Sequence, residues 1–140
     1  MKVVLAALAD GANVSDMGKM NVLGVFNSIF AVETPTVVPL CYLAVVLRPK
    51  EDEKGASWPF QVVLRDPDAR PVFSLPQGAA FEVPQSPGGA RIDVNLVIAL
   101  GGLQFPRFGD YELEFAAGEA RHAIELVVQP IIQQGRGHVA

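Results

Sequence analysis

The chain has 140 residues, half of them hydrophobic, with a formal net charge of −4 and a mean hydropathy of +0.29. That is enough for one domain with a sizeable core, and the abundance of Leu, Ile, Val and Phe excludes disorder by composition. Without a Lys/Arg cluster it also excludes a nucleic-acid backbone as partner, since such binding rests on several aligned cations.

Lys2 to Ala9 is apolar in both phases, which predicts a first strand buried on two sides. Lys2 and the small Ala7-Leu8-Ala9 imitate a signal peptide, but polar residues begin at Asp10, short of the roughly 15 to 30 residues such signals need. No apolar run approaches the roughly 20 residues that span a bilayer. Cys41, the single cysteine, lies in the apolar run Val37 to Leu47 and is expected to be a buried small hydrophobe. These features together predict a cytoplasmic protein.

Asp10 to Lys19 is rich in turn formers. Met20 to Val32 is apolar again, and Gly24, Asn27 and Ser28 within it predict a bend that divides it into two short strands. In the third strand, Val37 to Arg48, Pro39 cannot donate to a ladder and therefore requires an edge or a bulge. Pro49 to Ala56, PKEDEKGA, reads as a solvated loop. Ser57 to Arg65 alternates, with Trp58, Phe60, Val62 and Leu64 in one phase. Asp66-Pro67-Asp68-Ala69 has type I turn chemistry, so Arg70 to Leu75 is expected to pair back. A brief strand over Phe81 to Val83 and a loop over Gln85 to Gly89 follow. Ile92, Val94, Leu96, Ile98 and Leu100 give the cleanest alternation in the chain. Phe105 to Val128 reads as a hairpin, with Tyr111, Leu113 and Phe115 facing Ile124, Leu126 and Val128, and with Glu112, Glu114 and Glu125 in water.

About eight strand candidates without helical periodicity make the fold class all-β: an antiparallel β-sandwich over residues 1–130 with a tail over 131–140. Gly109-Asp110-Tyr111 with Leu113 resembles the tyrosine corner of immunoglobulin-like sandwiches, in which the Tyr bonds back to the preceding loop. A jelly roll is the alternative.

The sequence holds no metal-spaced Cys or His set, no phosphate loop and no catalytic motif. His122 shares the phase of Ile124 and is read as structural, so neither an enzyme nor a cofactor is expected. Asp10, Asn13, Asp16 and Lys19 form the densest polar cluster, an alternative loop for calcium or carbohydrate, although Asx-turn chemistry explains the same residues. The stronger signal is an excess: the early strands are apolar in both phases, whereas an antiparallel sandwich keeps one face of each sheet polar. Loops, the tail or a partner must cover them. The expected interaction surface is Val38, Leu40, Tyr42 and Val46 with Ile131 and Ile132, on a module that forms a homo-oligomer or docks on a protein partner.

Ala7 to Ala31 contains Gly18-Lys19-Met20-Asn21-Val22-Leu23-Gly24-Val25-Phe26, with Pro35 and Pro39 downstream. This run resembles the opening of a family of uncharacterised bacterial proteins. The resemblance implies a bacterial source and no assigned activity, and it supplies no site.

Overall fold

The computed structural model describes residues 1–131, and strand dominates them. The strands are β1 (Lys2–Val14), β2 (Met20–Val25), β3 (Ser28–Ala31), β4 (Thr36–Arg48), β5 (Ala56–Pro59), β6 (Gln61–Arg65), β7 (Pro71–Ser74), β8 (Ala80–Val83), β9 (Val94–Phe105), β10 (Gly109–Ala117) and β11 (Ala120–Pro130). A four-stranded sheet in the order β2-β1-β4-β9 and a five-stranded sheet in the order β3-β11-β10-β6-β7 enclose one core, and β5 pairs with β8 in a separate ribbon. Neighbours are antiparallel except β3, which runs parallel to β11. The all-β antiparallel sandwich expected from the alternation is therefore observed. Among the described residues no helix is long and apolar enough to cross a membrane.

The core follows the period of two. Cys41, Leu43, Val45 and Leu47 of β4 point inward, as do Ile98 and Leu100 of β9, Val62 and Leu64 of β6, Tyr111, Leu113 and Phe115 of β10, and Leu126 and Val128 of β11. At Gly102, whose φ of 68° lies in the left-handed region, β9 changes phase, so Leu103 and Phe105 are buried as well as Leu100. Pro39 sits where β4 has β9 beside it and β1 has already departed, because β1 pairs only with Tyr42 to Arg48. That is locally an edge, as its missing N–H requires.

Two elements differ in extent from the sequence reading, β1 and the strand read over Ser57 to Arg65. β1 continues to Val14 and pairs with β2 from Gly11 opposite Leu23 to Val14 opposite Met20. The turn formers thus occupy Ser15 to Lys19 alone, closed by Ser15 N–H to Lys19 O at 2.8 Å. Met20 to Val32 does divide into two strands, between Val25 and Ser28. Ser57 to Arg65 divides too: Phe60 N–H bonds Ala79 O at 3.0 Å, and the chain leaves the ribbon for the main sheet. Phe60 then packs between Phe81 and Phe115, with ring centroids 6.0 and 5.8 Å away.

The segment read as a solvated loop, PKEDEKGA, is the clearest correction. It forms a short 3-10 turn in which Glu53 is 8% exposed. Its Oε1 stands 2.5 Å from the amino group of Met1 and accepts the Lys50 N–H at 2.7 Å. Lys54 Nζ donates to Glu51 at 2.7 Å and to Ala90 O at 2.8 Å, and the Trp58 indole N–H donates to Glu53 O at 3.0 Å. Charge density in the sequence here marks a satisfied polar plug at one end of the sandwich, because every buried charge has a partner.

The tyrosine corner forms as expected. Tyr111 Oη donates to Arg107 O at 2.7 Å and accepts the Arg107 N–H at 3.1 Å, while its ring meets Phe105 edge-on at 5.0 Å. The Asp66 turn also forms: Oδ1 accepts the N–H groups of Asp68 and Arg70, both at 2.9 Å. Asp68 then holds the Arg107 guanidinium at 2.5 Å, tying this turn to the corner.

Candidate functional site

The outward phase of β4 is Tyr42, Ala44 and Val46, and that of β9 is Asn95, Val97 and Ala99. An open outer face would expose these residues, yet Ala44 is 0% exposed and Tyr42 and Val46 are half-buried. The cause lies in the hairpin of β1 and β2. Asn95 Nδ2 donates to Gly18 O at 2.8 Å, which puts the hairpin tip on β9, beyond β4 from its own root. The hairpin therefore crosses the outer face of its own sheet. Ala12, Met20 and Val22, on one phase of it, are half-buried, although Val14 on that phase is exposed, whereas Asn13, Asn21 and Leu23, on the other, are exposed.

This rearranges the expected interaction surface. Val38 is half-buried and packs against the core, because the phase change near Gly102 turns it inward. Tyr42 and Val46 belong to the face that the hairpin crosses. Leu40 and Ile131 are exposed, and Ile132 lies outside the described residues.

The exposed apolar surface is elsewhere. Of the large hydrophobic side chains that reach solvent, all but Phe108 and Ile131 fall between Val4 and Leu40. The most exposed are Met17 and Val32 at 82%, Leu23 at 76%, Val25 at 65% and Phe30 at 59%. β2 and β3 are edge strands of the two different sheets, joined by Phe26 and Asn27, so Leu23, Val25, Phe30 and Val32 lie on or next to edge strands on either side of that connection, the border of β2 and β3. Ile131 N–H bonds Ala31 O at 3.1 Å, which brings Ile131 to the same border. The sequence reading counted this run among the early strands that something must cover but did not name these four residues, because an uncharged edge strand and an uncharged core strand have the same composition. The break between Val25 and Ser28 passes the chain from one sheet to the other, but it does not by itself place either strand at an edge.

The polar cluster does not converge. Asp10 lies against Gly24, where an added Cβ would stand 2.6 Å from its Oδ2. Asn13 accepts from Asn21 Nδ2 at 2.9 Å. Asp16 is in the turn, and the Lys19 N–H donates to Ser15 Oγ at 3.2 Å. A hairpin strings out the residues that a ligand loop would gather. Among the described residues no group of three or more His, Cys, Asp or Glu could hold a metal ion.

His122 is exposed rather than structural. It lies where β11 has left the reach of β3, which pairs only with Val127 to Pro130. With Glu112, Glu125, Ala6 to Leu8 and Val25 to Asn27 it lines an open groove. No hydroxyl or thiol belongs to that lining. Cys41 is buried in the core, where desolvation and, secondarily, the charge of Asp10 push its thiol up to about 11. Because the thiolate is the reactive form, Cys41 should stay unlabelled by an aromatic disulfide reagent in the native protein and react fully in denaturant.

A family model described as a family of unknown function, DUF6941, matches residues 4–129. The chain belongs to this family. The match includes the folded-over hairpin, the β2 and β3 border and the tyrosine corner, so all three lie within the family's own extent. The resemblance drawn from Ala7 to Ala31 implied a family without assigned activity, and the match is to such a family. The search of curated proteins finds no match.

Proposed function

We propose that this chain is a non-enzymatic interaction module of the cytoplasm, a structural subunit that self-associates through the border of β2 and β3 or docks there in a larger assembly. The observation that carries the reading is the concentration of exposed apolar side chains on that border, with Leu23 and Val32 at 76% and 82%. Scattered apolar side chains on a surface need no explanation, but a contiguous set does. Burying one such side chain contributes about 1.5–3 kcal/mol, so a few of them supply the centre of an interface. A net charge of −4 on the whole chain favours a meeting point on β2 and β3 themselves, whose residues include no ionisable side chain. The parallel β3 beside β11, together with the tyrosine corner, supports reading the sandwich as immunoglobulin-like.

Light scattering after size exclusion tests the reading. At micromolar concentration the mass should exceed the 15.0 kDa of one chain, and Leu23→Glu with Phe30→Glu should return it to one chain with an unchanged far-UV spectrum. A clean monomer removes self-association and leaves docking on a different protein.

A further inference from the structure

The four-stranded sheet ends on β9, whose hydrogen-bonded neighbour is β4. Among the described residues no main-chain hydrogen bond reaches β9 from elsewhere. Sheet edges template unwanted pairing, and proteins blunt them with short strands, Pro, charges or bends. The other edges here follow that rule: β3 and β7 have 4 residues each, β7 starts at Pro71, and β2 has 6 residues and bends at Gly24, whose φ is 71°. β9 has 12 residues, and Val94 to Phe105 contains neither Pro nor any ionisable side chain.

We propose that β9 is a second contact, independent of the β2 and β3 border, at which it pairs antiparallel with β9 of another copy of this chain. The other copy, rather than a foreign strand, is the occupant because the segment is its own complement. Gly102 bends the strand, so the straight ladder is Val94 to Leu100. A two-fold axis through Val97 sets Val94 opposite Leu100 and Leu96 opposite Ile98 on the core side, and Asn95 opposite Ala99 and Val97 opposite itself on the outer side. Aliphatic groups meet at nearly every position, the arrangement that stabilises cross-strand pairs, and no charge opposes its equal. Two copies that each carry −4 approach here without a carboxylate between them. The contact is isologous and closes on itself, and it joins the two four-stranded sheets into one. With the β2 and β3 border as a further self-contact, association would extend beyond a dimer.

Val97→Cys in the full chain tests the pairing. Residues directly opposite in an antiparallel pair have Cβ atoms about 4.5–5.5 Å apart, within reach of a disulfide after small adjustment, and buried Cys41 is silent. Mild oxidation should convert V97C to a disulfide-linked dimer, while Gln104→Cys, exposed beyond Gly102, stays largely unlinked. In the unmodified protein, amide exchange over Val94 to Leu100 should slow as concentration rises. V97C linking no faster than Q104C, with exchange over β9 independent of concentration, would overturn the proposal. If the mass still exceeds one chain and L23E abolishes it, the early-strand border stands and the β9 contact alone falls.

Discussion

Replacing Tyr111 with alanine should lower stability by about 3–5 kcal/mol, a large part of the roughly 5–15 kcal/mol that holds a domain of this size. Tyr111 is 2% exposed, and the substitution removes the ring that packs edge-on to Phe105 as well as the hydroxyl. Tyr111→Phe separates the two contributions. It keeps the ring and strips Arg107 of both the acceptor for its N–H and the donor to its carbonyl. Leaving part-buried main-chain groups without partners costs up to about 1–3 kcal/mol. Urea titration should show both midpoints lowered with an unchanged slope, since the surface exposed on unfolding stays similar. A Tyr111→Phe midpoint equal to that of the unsubstituted protein would mean that water replaces the hydroxyl and that the corner is held by Arg107 and Asp68.

The later strands were legible in the sequence because each meets water on one side. Ile92 to Leu100 and Tyr111 to Phe115 alternate so regularly that facing follows from side-chain chemistry, and for Tyr111 to Phe115 the hairpin partner follows too. Gly109-Asp110-Tyr111 was legible for a different reason: the corner is made by one side chain and its own preceding loop, so no long-range contact has to be known. What alternation cannot show is a strand covered on both sides by its own chain. Tyr42 to Leu47 reads as apolar in both phases, which fits a partner and a folded-over hairpin equally, whereas Lys2 to Ala9 reads the same way and yet leaves Val4 and Leu5 44% and 45% exposed, so the expected burial of the first strand on two sides does not hold. The decisive contact, Asn95 to Gly18, spans 77 residues and leaves no local trace. The edge position of β2 and β3 was equally hidden, because an uncharged strand at a border and one in a core have the same composition.

That difference moves the proposed interface within the early strands. The hairpin satisfies the outer face of β4, where an interface was expected, and in crossing that face it carries β2 to a border. Leu23 is exposed because Ala12 and Val22 on the opposite phase are not. An interface on Leu23, Val25, Phe30 and Val32 therefore depends on the hairpin being folded down, and loosening Asn95 should weaken association without touching the apolar residues themselves.

The charged run at the other end of the molecule gives a pH signature. Burial by itself raises the Glu53 carboxyl, but its bonds from the Met1 amino group and the Lys50 N–H, with the charges of both residues, outweigh that and hold it below its ordinary value of 4.5. A carboxyl lowered by folding adds stability that is fully present above the unfolded value and is lost as pH falls below 4.5 toward the folded one. Glu53→Gln should therefore flatten the acid limb of the stability curve. Near neutrality it should also cost about 3–5 kcal/mol, because the amino group of Met1, a residue 5% exposed, is left beside an uncharged amide. Asp52→Asn, one residue away and exposed, should change stability by no more than about 0.5 kcal/mol. Thermal unfolding of the three proteins between pH 3 and pH 7 checks this, at intervals fine enough to resolve the limb. Parallel curves for Glu53→Gln and the unsubstituted protein would show that the ion pair forms no part of what holds the end of the sandwich closed. Converging curves at low pH, with the gap opening above the carboxylate range, are the result that burial and the Met1 contact require.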